Sequence, residues 1–185
     1  EIRKVAYGDD TPDVRAARDR VLAGQLEDAL ERLKKINVTS LKRAFAVQDV
    51  EFYQAYCMAK LALAGGGDKN ASVVKLREFI RKYPNSYHFY EANELIGDLA
   101  VALKNYSAAE TFYSTLVSAP WPEFKMRAAI LSARAQVAQG KIPEAQQRFE
   151  QVLSSAIDSA AAARQKRFAQ IGKAVCLAEG GAPEE

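Results

Sequence analysis

Hydrophobic positions recur along this chain at helical spacing, in paired stretches separated by short polar or glycine-bearing breaks. Thr11-Pro12 opens the first stretch, where proline suits the first position of a helix, and Val14, Ala17, Val21 and Leu22 form a stripe that ends at Gly24. Leu26, Ala29, Leu30, Leu33 and Ile36 make the second stripe, so the two read as a helical hairpin. Residues 37–48 read as an irregular connection. A long helix is expected from about Asp49 to Ala64, stopped by Gly65-Gly66-Gly67-Asp68, with a partner carrying Val73, Val74, Leu76, Phe79 and Ile80 and ending before Tyr83-Pro84. A third pair is expected around Tyr90, Leu95, Ile96 and Leu99, then Ala109, Phe112, Tyr113, Leu116 and Val117, with Asn85 or Ser86 as the cap and Lys104-Asn105 as the turn. Pro120-Trp121-Pro122 breaks that pair. A fourth pair spans about 123–139 and 143–155 around Gly140, and a last helix spans about 158–179.

The pairs are also a sequence repeat. Gly97, Tyr106, Ala109 and Phe112-Tyr113 are followed by Ala133, Gly140, Ala145 and Phe149. A period of ~34–37 residues with small residues at fixed offsets marks stacked helical hairpins. Residues 1–10 stand apart. Ile2, Val5 and Tyr7 fit either an extended lead-in or the end of an upstream domain, and residues 11–185 form the repeat domain. The chain opens at Glu1 without a Met and closes on Gly180-Gly181-Ala182-Pro183, a turn that would lead into a further helix. It therefore reads as a piece of a longer protein, cut short at its C-terminal end, and the lack of a leader segment carries no information about compartment.

Ile96-Gly97, Ala109 and Tyr113 in the third pair, Ala133, Gly140, Ala145 and Phe149 in the fourth, Ile171-Gly172 and Val175 in the last helix, and Ala17, Gly24, Ala29 and Leu33 in the first resemble the tetratricopeptide repeat (TPR) pattern. The second pair fits least: Tyr83-Pro84 matches, but Ser72 stands where the family has Ala, and the glycine-rich turn adds residues. The Lys82–Ser86 junction is similar to those of bacterial cell-envelope TPR proteins. The resemblance implies an all-α fold, a right-handed α-α superhelix of about four and a half hairpins. It implies a non-catalytic scaffold that binds a protein or peptide along a concave groove. A cell-envelope assembly factor and a regulatory module of a larger enzyme are the alternatives, and a cell-envelope or periplasmic location would follow only from a signal elsewhere in the gene. Carried over by register, the groove positions are Arg18, then Glu91, Glu94 and Asp98, then Arg127, Ile130 and Arg134, then Lys166 and Lys173. An acidic stretch beside a basic one would steer a partner of complementary charge. Glu94, Asp98, Ile130 and Arg134 stand at the positions where chaperone-binding TPRs carry a Lys/Asn carboxylate clamp, so that specificity is not implied.

Composition narrows the field further. The formal net charge of +3 is too small, and the charges too well mixed, to argue for nucleic acid. No apolar run approaches the ~18–20 residues of a membrane helix. His88 is the single histidine, which excludes a multi-histidine metal site or histidine triad built on a second one, and it reads as a packing or capping residue. Gly65–Lys69 lacks the Gly-Lys-Ser/Thr ending of a phosphate loop. Glu91, Glu94 and Asp98 share a helix face, but nothing else supplies metal ligands, so no metal or cofactor is expected. Cys57 and Cys176 both sit on apolar stripes and read as core residues. Trp121, between two prolines, reads as a plug between repeats or an exposed anchor. The last helix is expected to expose an apolar patch around Ile171, Val175 and Leu177 and to self-associate through it.

Overall fold

A computed structural model describes residues 11–180. The expected lead-in, residues 1–10, lies outside the described residues, as does the expected turn at 180–183 apart from Gly180, which is the last residue of a helix and not part of a turn. Among the described residues the chain forms nine α-helices, two short 3-10 turns and no strand. The described residues divide into two compact units, split between Leu99 and Ala100.

The first unit begins with α1 (Pro12–Leu22) and α2 (Leu26–Lys35). Thr11 caps α1, its side chain accepting from the Val14 N–H. Val14, Ala17 and Val21 of α1 close on Ala29 and Leu33 of α2, and Val50 and Cys57 of α3 complete this core. A 3-10 turn (Val38–Ser40), held by the Asn37 side chain accepting from the Thr39 N–H, leads to α3 (Ala44–Leu63). This helix starts five residues earlier than the pattern suggested. Residues 44–48 contain neither Gly nor Pro, and Ala46 is buried, so the backbone has reason to stay helical. Asp68 caps α4 (Lys69–Lys82) by accepting from the Asn70 and Ala71 N–H groups. α5 (Phe89–Ala102) follows, preceded by Ser86, whose hydroxyl accepts from the His88 N–H.

The second unit holds α6 (Tyr106–Ser114), a 3-10 turn (Thr115–Ser118), α7 (Pro122–Val137), α8 (Ile142–Leu153) and α9 (Ala160–Gly180). α6 is shorter than expected. Its last turn tightens so that Leu116 is buried while Val117 faces solvent, not the interior. One core joins Tyr113 and Leu116 to Ala128, Leu131 and Ala135 of α7. Another joins Met126, Ile130 and Ala133 of α7, Phe149 and Val152 of α8, and Ala162, Ala169 and Cys176 of α9.

The repeat is written most clearly in the hairpin turns. The N–H groups of Gln25, Gly66, Asn105 and Lys141 bond the carbonyls of Arg20, Leu61, Ala100 and Gln136 at 2.8–2.9 Å. Each bond spans five residues, the signature of a Schellman helix stop. The residue before each donor must adopt the left-handed region or come close to it, and Gly24 (φ 75°) and Gly140 (φ 74°) do so without a Cβ penalty. In the third hairpin Lys104 takes the same role at φ 59°.

Candidate functional site

The positions marked by register fall into three structural groups. Arg18 is not a surface residue. It is buried in the first unit with its guanidinium paired to Asp49 of α3, so its charge is spent inside the fold. Ile130 is likewise interior, packed with Met126, Ala133, Phe149 and Ala169. Both are removed from the set of partner-binding positions, because a buried side chain has no face to offer. The others reach the surface at least in part. On α5, Glu91 is exposed and Glu94 and Asp98 are half-buried, one turn and two turns further along the same face. In the second unit Arg134 is exposed, and Arg127, Lys166 and Lys173 are half-buried. Lys173 pairs with Glu150 of α8 at 2.9 Å, and Arg127 lies 5.9 Å from the centre of the Phe124 ring.

Pattern reading missed the polar centre of the first unit. Asp49, almost fully buried, accepts from the Arg18 guanidinium, from the Tyr87 hydroxyl and from His88 Nε2 at 3.1 Å. The other ring nitrogen of His88, Nδ1, is 3.7 Å from Glu91. The imidazole stacks on Phe52 with centroids 3.8 Å apart, and Tyr53 meets it edge-on at 5.2 Å. Burial alone would push the His88 pKa down, but the Asp49 and Glu91 carboxylates outweigh it and the net shift is upward. Burial likewise would push Asp49 up, and the His88, Tyr87 and Arg18 partners bring it below the ordinary carboxylate value. Helices α1, α3 and the start of α5 are thereby tied through one carboxylate. His88 does pack, as expected, but its ring is also an ion-pair partner. The sequence signal for this was slight: Arg18 and Asp49 are each a charged residue inside an apolar stripe.

Trp121 is half exposed and leans on Phe124, centroids 5.3 Å apart. Cys57 and Cys176 are both buried free thiols, and burial pushes Cys57 up to about 11. Among the described residues no three His, Cys, Asp or Glu side chains gather in a way that would hold a metal ion. No described helix is long and apolar enough to cross a membrane.

Residues 49–86 match the family model of the tetratricopeptide repeat. The match runs from Asp49 through the α3–α4 hairpin to Ser86, so this part of the first unit is similar to a tetratricopeptide repeat. No curated protein matches the chain. The matched hairpin is the one whose residues fitted the pattern least, and the structure explains why Ser72 is tolerated. It is buried, and its hydroxyl is satisfied by the Asp68 carbonyl at 2.8 Å, so it fills the space of an alanine without leaving a polar atom orphaned. The tetratricopeptide repeat is a protein–protein interaction module and in general a non-catalytic fold.

Proposed function

We propose that the chain is a non-catalytic protein-binding scaffold that uses the charged faces of the leading helices of its hairpins. The observation that carries this reading is the repeat match at residues 49–86. The charged positions add to it. Glu91, Glu94 and Asp98 give α5 an acidic face within the first unit, and Arg127, Arg134, Lys166 and Lys173 give α7 and α9 basic ones within the second. Such faces speed encounter and select partner charge more than they add affinity. A basic peptide segment is complementary to α5, and an acidic one to α7 and α9.

Capture from the source cell's lysate, read by mass spectrometry, tests the reading. The parent chain is compared with a Glu91→Lys, Glu94→Lys, Asp98→Lys variant and with Arg134→Glu, each shown to be folded by circular dichroism and by its melting midpoint. A partner held by the parent and lost from a folded variant places binding on that face. Equal capture by the parent and both folded variants would sink the proposal.

A further inference from the structure

We infer that α9 is the self-pairing surface of this chain and that two copies meet there antiparallel, about a two-fold axis through Ile171-Gly172. This is independent of the charged faces discussed above. α9 buries one side, Ala162, Ala169 and Cys176, against α7 and α8. Its opposite side carries Phe168, Ile171 and Val175, which are 45%, 62% and 41% exposed. Their spacing of three and four residues stacks them in one stripe. Leu177, expected in the same patch, belongs elsewhere: it lies over a crevice with Ile142, Cys176 and Gly180.

What marks a second copy as the occupant is the charge at the ends of the stripe. Arg164 stands one turn before Phe168, with its guanidinium 5.7 Å from that ring. Glu179 stands one turn after Val175. The order along the helix is therefore cation, three apolar residues, anion. Counted from the midpoint between Ile171 and Gly172, Arg164 and Glu179 are equally far out, and so are Phe168 and Val175. A surface of this kind is complementary to itself reversed, which a two-fold interface requires. Antiparallel pairing sets Phe168 on Val175 and Ile171 on its own counterpart, and faces each Arg164 with the other copy's Glu179. Parallel pairing would instead set Arg164 beside Arg164 and Glu179 beside Glu179. Arg167 adds a second cation to the first half of the helix and strengthens the same preference. Lys173 takes no part, because it lies on the other side of α9, paired with Glu150.

Sedimentation equilibrium of the 185-residue chain under reducing conditions tests this. The weight-average mass should climb with concentration from 20.3 kDa toward twice that value and stop there. Ile171→Glu, at an exposed position, should leave the circular dichroism unchanged and weaken the dimer by at least about a hundredfold. Arg164→Glu and Glu179→Arg should each weaken it by about tenfold, since each places like charges together twice per dimer. The double variant Arg164→Glu, Glu179→Arg should restore the parent's affinity. A monomer at the highest soluble concentration, growth beyond a dimer, or a dimer unmoved by Ile171→Glu would overturn the proposal. Failure of the double variant to recover would overturn the antiparallel register.

Discussion

A single carboxylate, Asp49, holds three residues from two distant parts of the chain, Arg18 from one and Tyr87 and His88 from the other, and its removal is expected to be costly. Asp49→Ala removes the carboxylate paired with the buried Arg18 guanidinium, and breaking a buried pair in this way costs about 3–5 kcal/mol. Asp49→Asn, which keeps acceptor capacity but not charge, should lose less. The pH dependence follows from the two shifts. His88 is raised above its unfolded value of 6.5, so its contribution is complete below that value and is lost as pH rises through the folded pKa. Asp49 is lowered below 3.8, so its contribution is complete above that value and is lost as pH falls through the folded pKa. These are the two ends of one ion pair, and their effects are not to be added. Stability of the first unit should be highest between about pH 4 and pH 6.5. Urea unfolding followed from pH 5 to pH 9 should show the parent's midpoint declining on the alkaline side and His88→Gln nearly flat there. An equal decline in both would show that His88 is not the group responsible.

Helix contacts depend on small residues as much as on large ones, and α8 against α9 shows it most directly. A Cβ built on Gly172 would fall within 3.0 Å of three carbons of the Phe149 ring. Phe149 is completely buried in the core of the second unit, so the ring has nowhere to retreat. Alanine within a helix gains about 1 kcal/mol over glycine, while overpacking a filled core costs about 1–3 kcal/mol. Gly172→Ala is therefore expected to lower stability on balance, and Gly172→Ala with Phe149→Leu should recover part of the loss. Additive behaviour of the two changes in urea unfolding would show that the glycine and the ring do not meet. This contact was legible beforehand, because Ile171-Gly172 and Phe149 stood out as repeat positions. So were the hairpins, whose turn residues Gly24, Lys104-Asn105 and Gly140 all sit at helix stops. The start of α3 was not, since nothing in residues 44–48 distinguishes a helical lead-in from a loop until Ala46 and Val50 find their neighbours. The Asp49 centre was invisible for a related reason. Its members come from residues 18, 49, 87, 88 and 91, and no local period connects them. Register also placed Arg18 and Ile130 on a surface that packing denies them, since a repeat pattern fixes a position along a helix more firmly than the depth of its side chain.

At the scale of the whole molecule the two cysteines are a natural pair of reporters, one in each unit. Cys57 lies in the middle of α3, enclosed by Val14, Ala17, Ala29 and Leu33. Its thiol is pushed up to about 11 by burial, with Glu27 adding to the effect. Cys176 is also buried and its thiol is also raised, first by burial and then by Glu179. Its surroundings differ, however. It lies four residues before Gly180, the end of α9, and lines the crevice with Ile142, Pro143 and Gln146. Opening the last turn of one helix uncovers Cys176, whereas reaching Cys57 requires α3 to separate from both α1 and α2. Local opening of a helix end costs far less than separating a packed core. A thiolate is the reactive form, so both sites should label slowly in the folded protein. Pulsed alkylation with iodoacetamide followed by peptide mapping should show Cys176 modified well before Cys57 in native conditions. Increasing urea should then narrow the interval, as opening of the first unit's core replaces fraying as the route to Cys57. If Cys57 is modified first, or the two react together without denaturant, the α1–α3 core opens more readily than its packing implies, and the stability assigned to the Asp49 centre would have to be revised downward with it.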